Sequence, residues 1–362
     1  MKKICILSTS LSNGGAERFG AQLSILLSNL GYDVHIVIKR NVIDYDYLGK
    51  LFNLELEQKQ SKIKKSKTLI LYSYLNQNKF DIIIDNRSRN DFFKEFILYK
   101  YIFRKAKVIT MVHGYNFENY VSTTRFIVNI LYKDIYKIVA VSKKIKSKII
   151  DKYNLKNVIS IYNHADFNFI NDKANHSIDF SEKYILFYGR IDEKVKNLSL
   201  LIDGYKLSNL YENGIKLLIL GSGNDLDFVK KMVKDLALTK SIIFMPYMSN
   251  PFPYVKRALL TVLTSRHEGF PMVLIESLAC GTPVVSVDCN SGPSEIIKNR
   301  QNGLLIENFS GKVLAQALNE IMEDKNLYSF CKQNAQASIK HLETNNIALQ
   351  WKKLIDGDNF RN

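Results

Sequence analysis

The sequence predicts an α/β protein made of two doubly wound, Rossmann-like domains facing each other across a cleft. Three observations lead there. Short apolar runs alternate with helical stretches along the whole chain, the pattern of buried parallel strands in βαβ units. At about 150 residues per domain, 362 residues are enough for two domains. The runs also form two series, separated by a polar, Asn- and Asp-rich segment around 163–183.

The first series is Ile4–Leu7, Val34–Ile38, Ile82–Ile84, Val108–Val112 and Ile138–Val141. A glycine turn after the first run leads into a helix expected over Phe19–Leu30. The second series is Ile185–Tyr188, Leu217–Leu220, Ile242–Phe244, Leu260–Leu263 and Val284–Val287. The expected division is 1–165, 166–344, and a final segment 345–362 with a helical pattern and the single tryptophan, Trp351. Ligands of such sheets sit beyond the carboxyl ends of the strands.

Composition narrows the class. With 46% hydrophobic and 24% charged residues, disorder is excluded as the main state. Cys5, Cys280, Cys289 and Cys331 are scattered, without the spacing of a zinc site or a disulfide framework, which fits a reducing cytosol. No stretch approaches the roughly 18 apolar residues of a membrane span. The opening MKKICILSTSLSNGGAER reads as a first strand rather than a signal peptide.

The net charge of +16 is unevenly placed. Residues 1–165 carry 28 basic and 13 acidic side chains; residues 166–362 carry 23 and 22. Such a field draws polyanions, either nucleic acid or a membrane with acidic lipids. The segment 92–105 interleaves aromatic side chains with cations, as a helix at a lipid surface would. A second basic stretch runs from Lys143 to Lys148. No helix-turn-helix, RNP or zinc-finger pattern is present, so the expected partner is an anionic membrane surface and not nucleic acid.

Four loops carry chemistry. Gly14-Gly15 precedes a helix start, where free N–H groups suit an anion. Tyr188-Gly189-Arg190 follows a strand, and Lys194, Lys196 and Asn197 come next at a helix entrance, a clamp suited to a diphosphate. Leu220-Gly221-Ser222-Gly223 ends another strand. The strongest signal is Arg266-His267-Glu268-Gly269-Phe270-Pro271-Met272, leading to Glu276. Glu268 is expected at a strand end and Glu276 two turns into the next helix. Gly269, Phe270, Pro271 and Met272 are expected to offer backbone N–H groups at that helix start, and the carboxylates can accept hydrogen bonds from sugar hydroxyls.

With these motifs the chain resembles the retaining GT-B glycosyltransferases of family 4. The E-x7-E pattern in Glu268–Pro283 carries the resemblance most specifically. GGAER at 14–18, His113-Gly114, Ala140-Val141-Ser142, Asn163, Gly189-Arg190 and Ser291-Gly292-Pro293-Ser294-Glu295 support it. GGAER with SGPSE is similar to enzymes that build O-antigen, capsule and related glycans. The resemblance implies that Arg190 and Lys196 (or Lys194, since this loop has an extra residue) hold the donor diphosphate. Glu276 would bind the donor ribose, and Glu268 with 269–272 the transferred sugar. Gly15 would approach the donor phosphates and His113 would lie close to the sugar. The final helix would cross back to the first domain. Pro246 stands where the family commonly has glycine and lacks the N–H that could meet a nucleobase.

The implied activity is transfer of a hexose or N-acetylhexosamine from a nucleotide sugar, UDP foremost, to an oligosaccharide or lipid-linked acceptor with retention. Neither a cofactor nor a divalent metal is expected. The place would be the inner face of the plasma membrane, from the cytoplasm. Two rivals are a GT-B epimerase or hydrolase of nucleotide sugars, and a catalytically silent membrane-docked partner of a transferase. The aromatic, basic first half disfavours the former, and the intact Arg190, Lys196, Glu268 and Glu276 disfavour the latter.

Overall fold

The computed structural model describes residues 1–61, 65–89, 91–116, 118, 120 and 124–357. The chain divides into two compact units, Met1–Asn163 with Asn345–Asn362, and His164–Thr344.

The first unit holds seven strands: β1 (Lys3–Ser8), β2 (Asp33–Ile38), β3 (Lys50–Asn53), β4 (Ile82–Asp85), β5 (Lys107–Val112), β6 (Lys137–Ala140) and β7 (Val158–Ser160). They pair in parallel in the order β3-β2-β1-β4-β5-β6-β7. Central strands are covered on both faces, so Ile4, Ile6, Ile36, Ile84 and Ile109 are all fully buried. The first helix begins at Gly15 rather than Phe19 and runs to Asn29. Gly15 and Glu17 therefore belong to its first turn, with Gly14 as the N-cap.

The second unit holds β8 (Tyr184–Tyr188), β9 (Lys216–Leu220), β10 (Ile242–Met245), β11 (Thr261–Leu263), β12 (Val284–Val287) and β13 (Gly303–Ile306). Their order is β10-β9-β8-β11-β12-β13, again parallel. Both units are thus parallel-sheet, Rossmann-like domains.

The strands without a sequence counterpart, β3, β7 and β13, all lie at sheet edges. An edge strand has one neighbour and needs no continuous apolar run, as KLFN and VIS illustrate. The polar segment 163–183 is also not devoid of structure. It contains the helix Phe167–Ala174, capped by Asp166 and burying Phe167, Ile170 and Ala174.

The last helix, Thr344–Asp356, belongs with the first unit. Trp351 is fully buried, its ring 6.4 Å from that of Phe19. Lys2 Nζ donates to the Ile355 carbonyl at 2.7 Å, and the Tyr136 hydroxyl to that of Leu354 at 2.8 Å. The aromatic segment 92–105 divides by face. Leu98, Tyr99 and Phe103 enter the core, while Phe93, Ile97 and Tyr101 remain exposed. The lysines of 143–148 ride on an amphipathic helix, Lys143–Tyr153, whose Ile145, Ile149 and Tyr153 are buried.

Candidate functional sites in each unit

In a doubly wound sheet, the chain leaves the first strand in one direction and the next in the other, and a crevice opens where the order reverses. This reversal lies between β1 and β4 in the first unit and between β8 and β11 in the second. The motif residues gather at these two places.

In the second unit, Gly189 and Arg190 follow β8 directly. Arg190 is exposed and, among the described residues, has no ion-pair partner. The next loop forms a single turn, Glu193–Lys196, whose N-terminus is capped by the Asp192 carboxylate accepting from the Val195 N–H. Asn197 ends it in the left-handed conformation at φ 54°. Residues after β11 grip this turn: the Arg266 N–H donates to the Val195 carbonyl at 2.8 Å, and the Thr264 hydroxyl to that of Lys196 at 3.0 Å. The result aims Lys196 Nζ at Glu268 Oε1, 2.6 Å away. Lys194 is exposed and, among the described residues, makes no ion pair with Glu268.

Glu268 does not end a strand. β11 stops at Leu263, and Glu268 sits in the connection to the helix Met272–Ala279. Glu276 is one turn into that helix, not two, because the helix starts only at Met272. Pro271 occupies the N-cap and has no N–H, so Gly269, Phe270 and Met272 are the donors that this loop can offer. Glu276 is buried at 2% exposure. The Tyr188 hydroxyl braces it, lying 3.2 Å from Glu276 Oε2 and 2.7 Å from the Val273 carbonyl.

The SGPSE segment supports this loop from behind. The Ser291 hydroxyl donates to the Gly269 carbonyl at 2.9 Å. Gly292 adopts φ +97°, and a Cβ there would collide with the Pro271 ring. Gly221 is needed for a similar reason: at φ +154°, its added Cβ would strike the Gly189 carbonyl beside Arg190. Burial and the Glu268 charge push the Cys289 thiol up to about 12, and burial drives Cys280 to about 12, so neither is a nucleophile at neutral pH.

In the first unit, His113 follows β5, with its ring edge-on to Phe19 at 4.9 Å. Its Nε2 hydrogen-bonds Asn86 Oδ1, which can only accept, so Nε2 carries the proton and Nδ1 is free to accept. Asn86 Nδ2 in turn donates to the Ala16 carbonyl at 2.7 Å and to Ser8 Oγ at 3.0 Å. Burial, and then the Arg89 charge, push His113 down to about 3, so the ring is neutral at physiological pH. Gly15 is exposed at the helix start with open space where a side chain would project.

Beneath His113 lies a buried ionic network with no motif to announce it. Arg87 makes paired bonds to Asp85 at 2.8 and 2.9 Å and reaches Glu95 at 3.1 Å. Arg89 donates to the carbonyls of Asp85, Arg87, Met111 and Tyr120. Tyr99 donates to Asp85 at 2.8 Å. The two arginines hold Asp85 below the usual carboxylate range against its burial.

Thr264 and Asn86 are the residues that sequence reasoning does not single out. Tyr188 and Ser291 lie inside quoted motifs, but their hydrogen bonds to Glu276 and to the Gly269 carbonyl are visible only in the structure.

Comparison with known proteins bears on the fold and the class of protein. Residues 168–338 match the family model described as Glycosyl transferases group 1. A Campylobacter jejuni N-acetylgalactosamine-N,N'-diacetylbacillosaminyl-diphospho-undecaprenol 4-alpha-N-acetylgalactosaminyltransferase is 29% identical, covering 99% of this chain and 100% of that protein. The Erwinia amylovora amylovoran biosynthesis glycosyltransferase AmsD is 26% identical over 98% of this chain and 100% of its own. The structure of an S. aureus TarM mutant in complex with fondaparinux, α-GlcNAc-glycerol and UDP superposes with TM-score 0.78 at 16% identity, over 99% of this chain and 100% of that one. The fold is therefore GT-B, and the comparisons support a glycosyltransferase.

Proposed function

We propose that this chain is a retaining, metal-independent glycosyltransferase. It would move a hexose or N-acetylhexosamine from a nucleotide sugar, with UDP the first choice, to a glycan acceptor carried on a lipid, in cell-surface polysaccharide assembly. The contact of Lys196 with Glu268 beside the exposed Arg190 carries the reading. It gathers a cation for a diphosphate and a carboxylate for sugar hydroxyls at the sheet's reversal point, with Glu276 buried behind them as an acceptor for ribose hydroxyls. The relatives support the finer points. The Campylobacter protein is named for a diphospho-undecaprenol acceptor and α-transfer, and the TarM complex contains UDP.

In the proposed reaction the acceptor hydroxyl attacks the anomeric carbon as its bond to the diphosphate breaks. The electron pair goes to the departing phosphate oxygen, and the acceptor's proton follows to the diphosphate on the same face. Arg190, Lys196 and the N–H groups of Gly269, Phe270 and Met272 stabilise the developing charge. Positioned cations do the work a divalent ion does elsewhere. His113, being neutral, would serve as a hydrogen-bonding partner of a sugar hydroxyl rather than as a charged group.

Among the described residues no helix is long and apolar enough to cross a membrane. Phe93, Tyr101 and Phe126, which are 78%, 61% and 74% exposed, support peripheral docking of the first unit on an anionic bilayer.

Thermal unfolding with UDP, GDP, ADP or CMP, each with and without EDTA, tests the donor reading. UDP at 100-fold its dissociation constant should add about 2.7 kcal/mol, a shift of several degrees. The expected result is a UDP-selective shift that survives EDTA and disappears in Glu276→Ala. No shift with any nucleotide would overturn the assignment.

A further inference from the structure

Arg266 heads the strongest motif of the sequence, yet its guanidinium does not join the cations of the donor site. Nη2 donates to Asn197 Oδ1 at 2.6 Å, and Glu268, two residues on, pairs with Lys196 instead. Arg266 also borders a hollow shared with Ser199, Leu200, Asp203 and Phe309. Among the described residues, neither Lys196 nor Glu268 reaches that hollow.

Asn197 is where two elements meet. It closes the turn Glu193–Lys196 and stands at the N-cap of the helix Leu198–Leu207, where its carbonyl accepts from the Leu200 N–H at 3.1 Å. An asparagine at an N-cap ordinarily spends its side-chain oxygen on the free N–H groups of the helix. Here that oxygen makes no cap bond. Glu193 Oε2 accepts from the Ser199 N–H at 3.1 Å in its place, and Asn197 Oδ1 goes to Arg266. Asn197 is 3% exposed and sits at φ 54°, a conformation that asparagine tolerates without preferring. A buried amide needs a partner, and the one this amide has belongs to the segment that already holds the turn by its backbone. The Thr264 hydroxyl reaches the Asn197 carbonyl as well, at 3.1 Å.

We propose that Arg266 is a positioning residue of the donor site. Its side chain holds Asn197 in the left-handed conformation, and thereby aims Lys196, without touching the diphosphate itself. The proposal rests on the transferase reading above and deepens its donor side.

Titration calorimetry of UDP and of uridine on the full chain tests it. Arg266→Met should weaken UDP by ~10-fold, the worth of one charge-assisted hydrogen bond. Uridine, which carries no phosphate, should bind as before. Asn197→Gly keeps a residue at ease at positive φ but removes Oδ1, and should weaken UDP by a similar factor. The two together should cost no more than either alone, because both remove one contact. Arg266→Met should add nothing in the Lys196→Met chain, and Arg266→Lys, which can still donate to Oδ1, should recover most of the affinity. Losses that multiply to ~100-fold, or a further loss in the Lys196→Met chain, would make Arg266 a direct phosphate ligand and overturn the proposal. Unchanged UDP affinity in Arg266→Met overturns it too, as does a parallel loss of uridine, which marks a general loosening of the unit. If Asn197→Gly perturbs folding, Arg266→Met in the Lys196→Met chain decides alone. Should the wild type not bind UDP, the donor reading falls and this proposal with it. Binding lost in Lys196→Met but intact in Arg266→Met sinks this proposal alone.

Discussion

Each unit brings an acid and a base together at the same topological place, but under opposite conditions. Asp85 is fully buried, with Arg87 and Glu95 at 10% and 5% side-chain exposure. Lys196 and Glu268 retain 16% and 12%, and only one hydrogen bond joins them. The first arrangement has its donors and acceptors consumed internally, as a buried ionic group must. Among the described residues, the second leaves the other lysine protons and carboxylate lone pairs unspent, available to a ligand. Similar residue types thus serve a scaffold in one unit and a candidate binding site in the other, and the number of committed hydrogen bonds separates the two.

The sharpest way to break this comparison is to remove one base from each cluster. Arg87→Met should cost about 3–5 kcal/mol, because Asp85 and Glu95 would lose their main counter-charge inside the protein. Equilibrium denaturation measures this, and a loss as small as that of a surface variant would show the network to be dispensable. Lys196→Met should behave in reverse. Its stability cost is about 1–2 kcal/mol, while the transfer rate falls by ~10²–10³-fold. A folded, fully active Lys196→Met would remove the lysine from the donor site.

Gly292→Ala sharpens the second unit alone. The positive φ and the Pro271 ring make alanine strained there, at about 1–3 kcal/mol, and the loop carrying Glu268 should shift with it. Denaturation and kcat should therefore fall together, and a change in only one would uncouple SGPSE from the site.

At neutral pH the smallest effect concerns His113, whose contribution changes only as the solution is acidified. Its folded-state value of about 3 lies below that of a free imidazole, so between these limits the unfolded chain binds a proton that the folded chain refuses. Stability must then drop as the pH falls through about 6.5 toward 3, by up to ~1.4 kcal/mol per pH unit. His113→Gln should flatten that slope, as read from urea midpoints at several pH values.

Much of this molecule was legible in its amino-acid order. All ten apolar runs lie in or at strands, because a parallel strand covered on both faces must be apolar throughout. The Gly269–Met272 loop and Glu276 stood out because backbone approach to a ligand needs small or cap-forming residues at fixed spacing. Of the four edge strands, β3 and β7 were hidden because strands with one neighbour need no continuous apolar run, and β13 offers only the short run Leu304–Ile306. Helix starts were read late at Phe19 and early before Glu276, since the capping residues Gly14 and Pro271 make no side-chain cap hydrogen bond.

Sequence alone therefore determined the two parallel-sheet domains and the motifs at their strand ends, because covalent order dictates which residues are apolar, flexible or charged. Tertiary structure decided what each charge does. Arg87 and Arg89 look like any loop cations in Asn86-Arg87-Ser88-Arg89, and Asn197 and Arg266 are far apart in the chain. Only folding buries the former against carboxylates and joins the latter. It also chose Lys196 over Lys194 for Glu268, through a left-handed Asn197 and backbone bonds from Thr264 and Arg266. Burial and counter-charge are properties of neighbours in space, and for these residues chain order does not supply the neighbours.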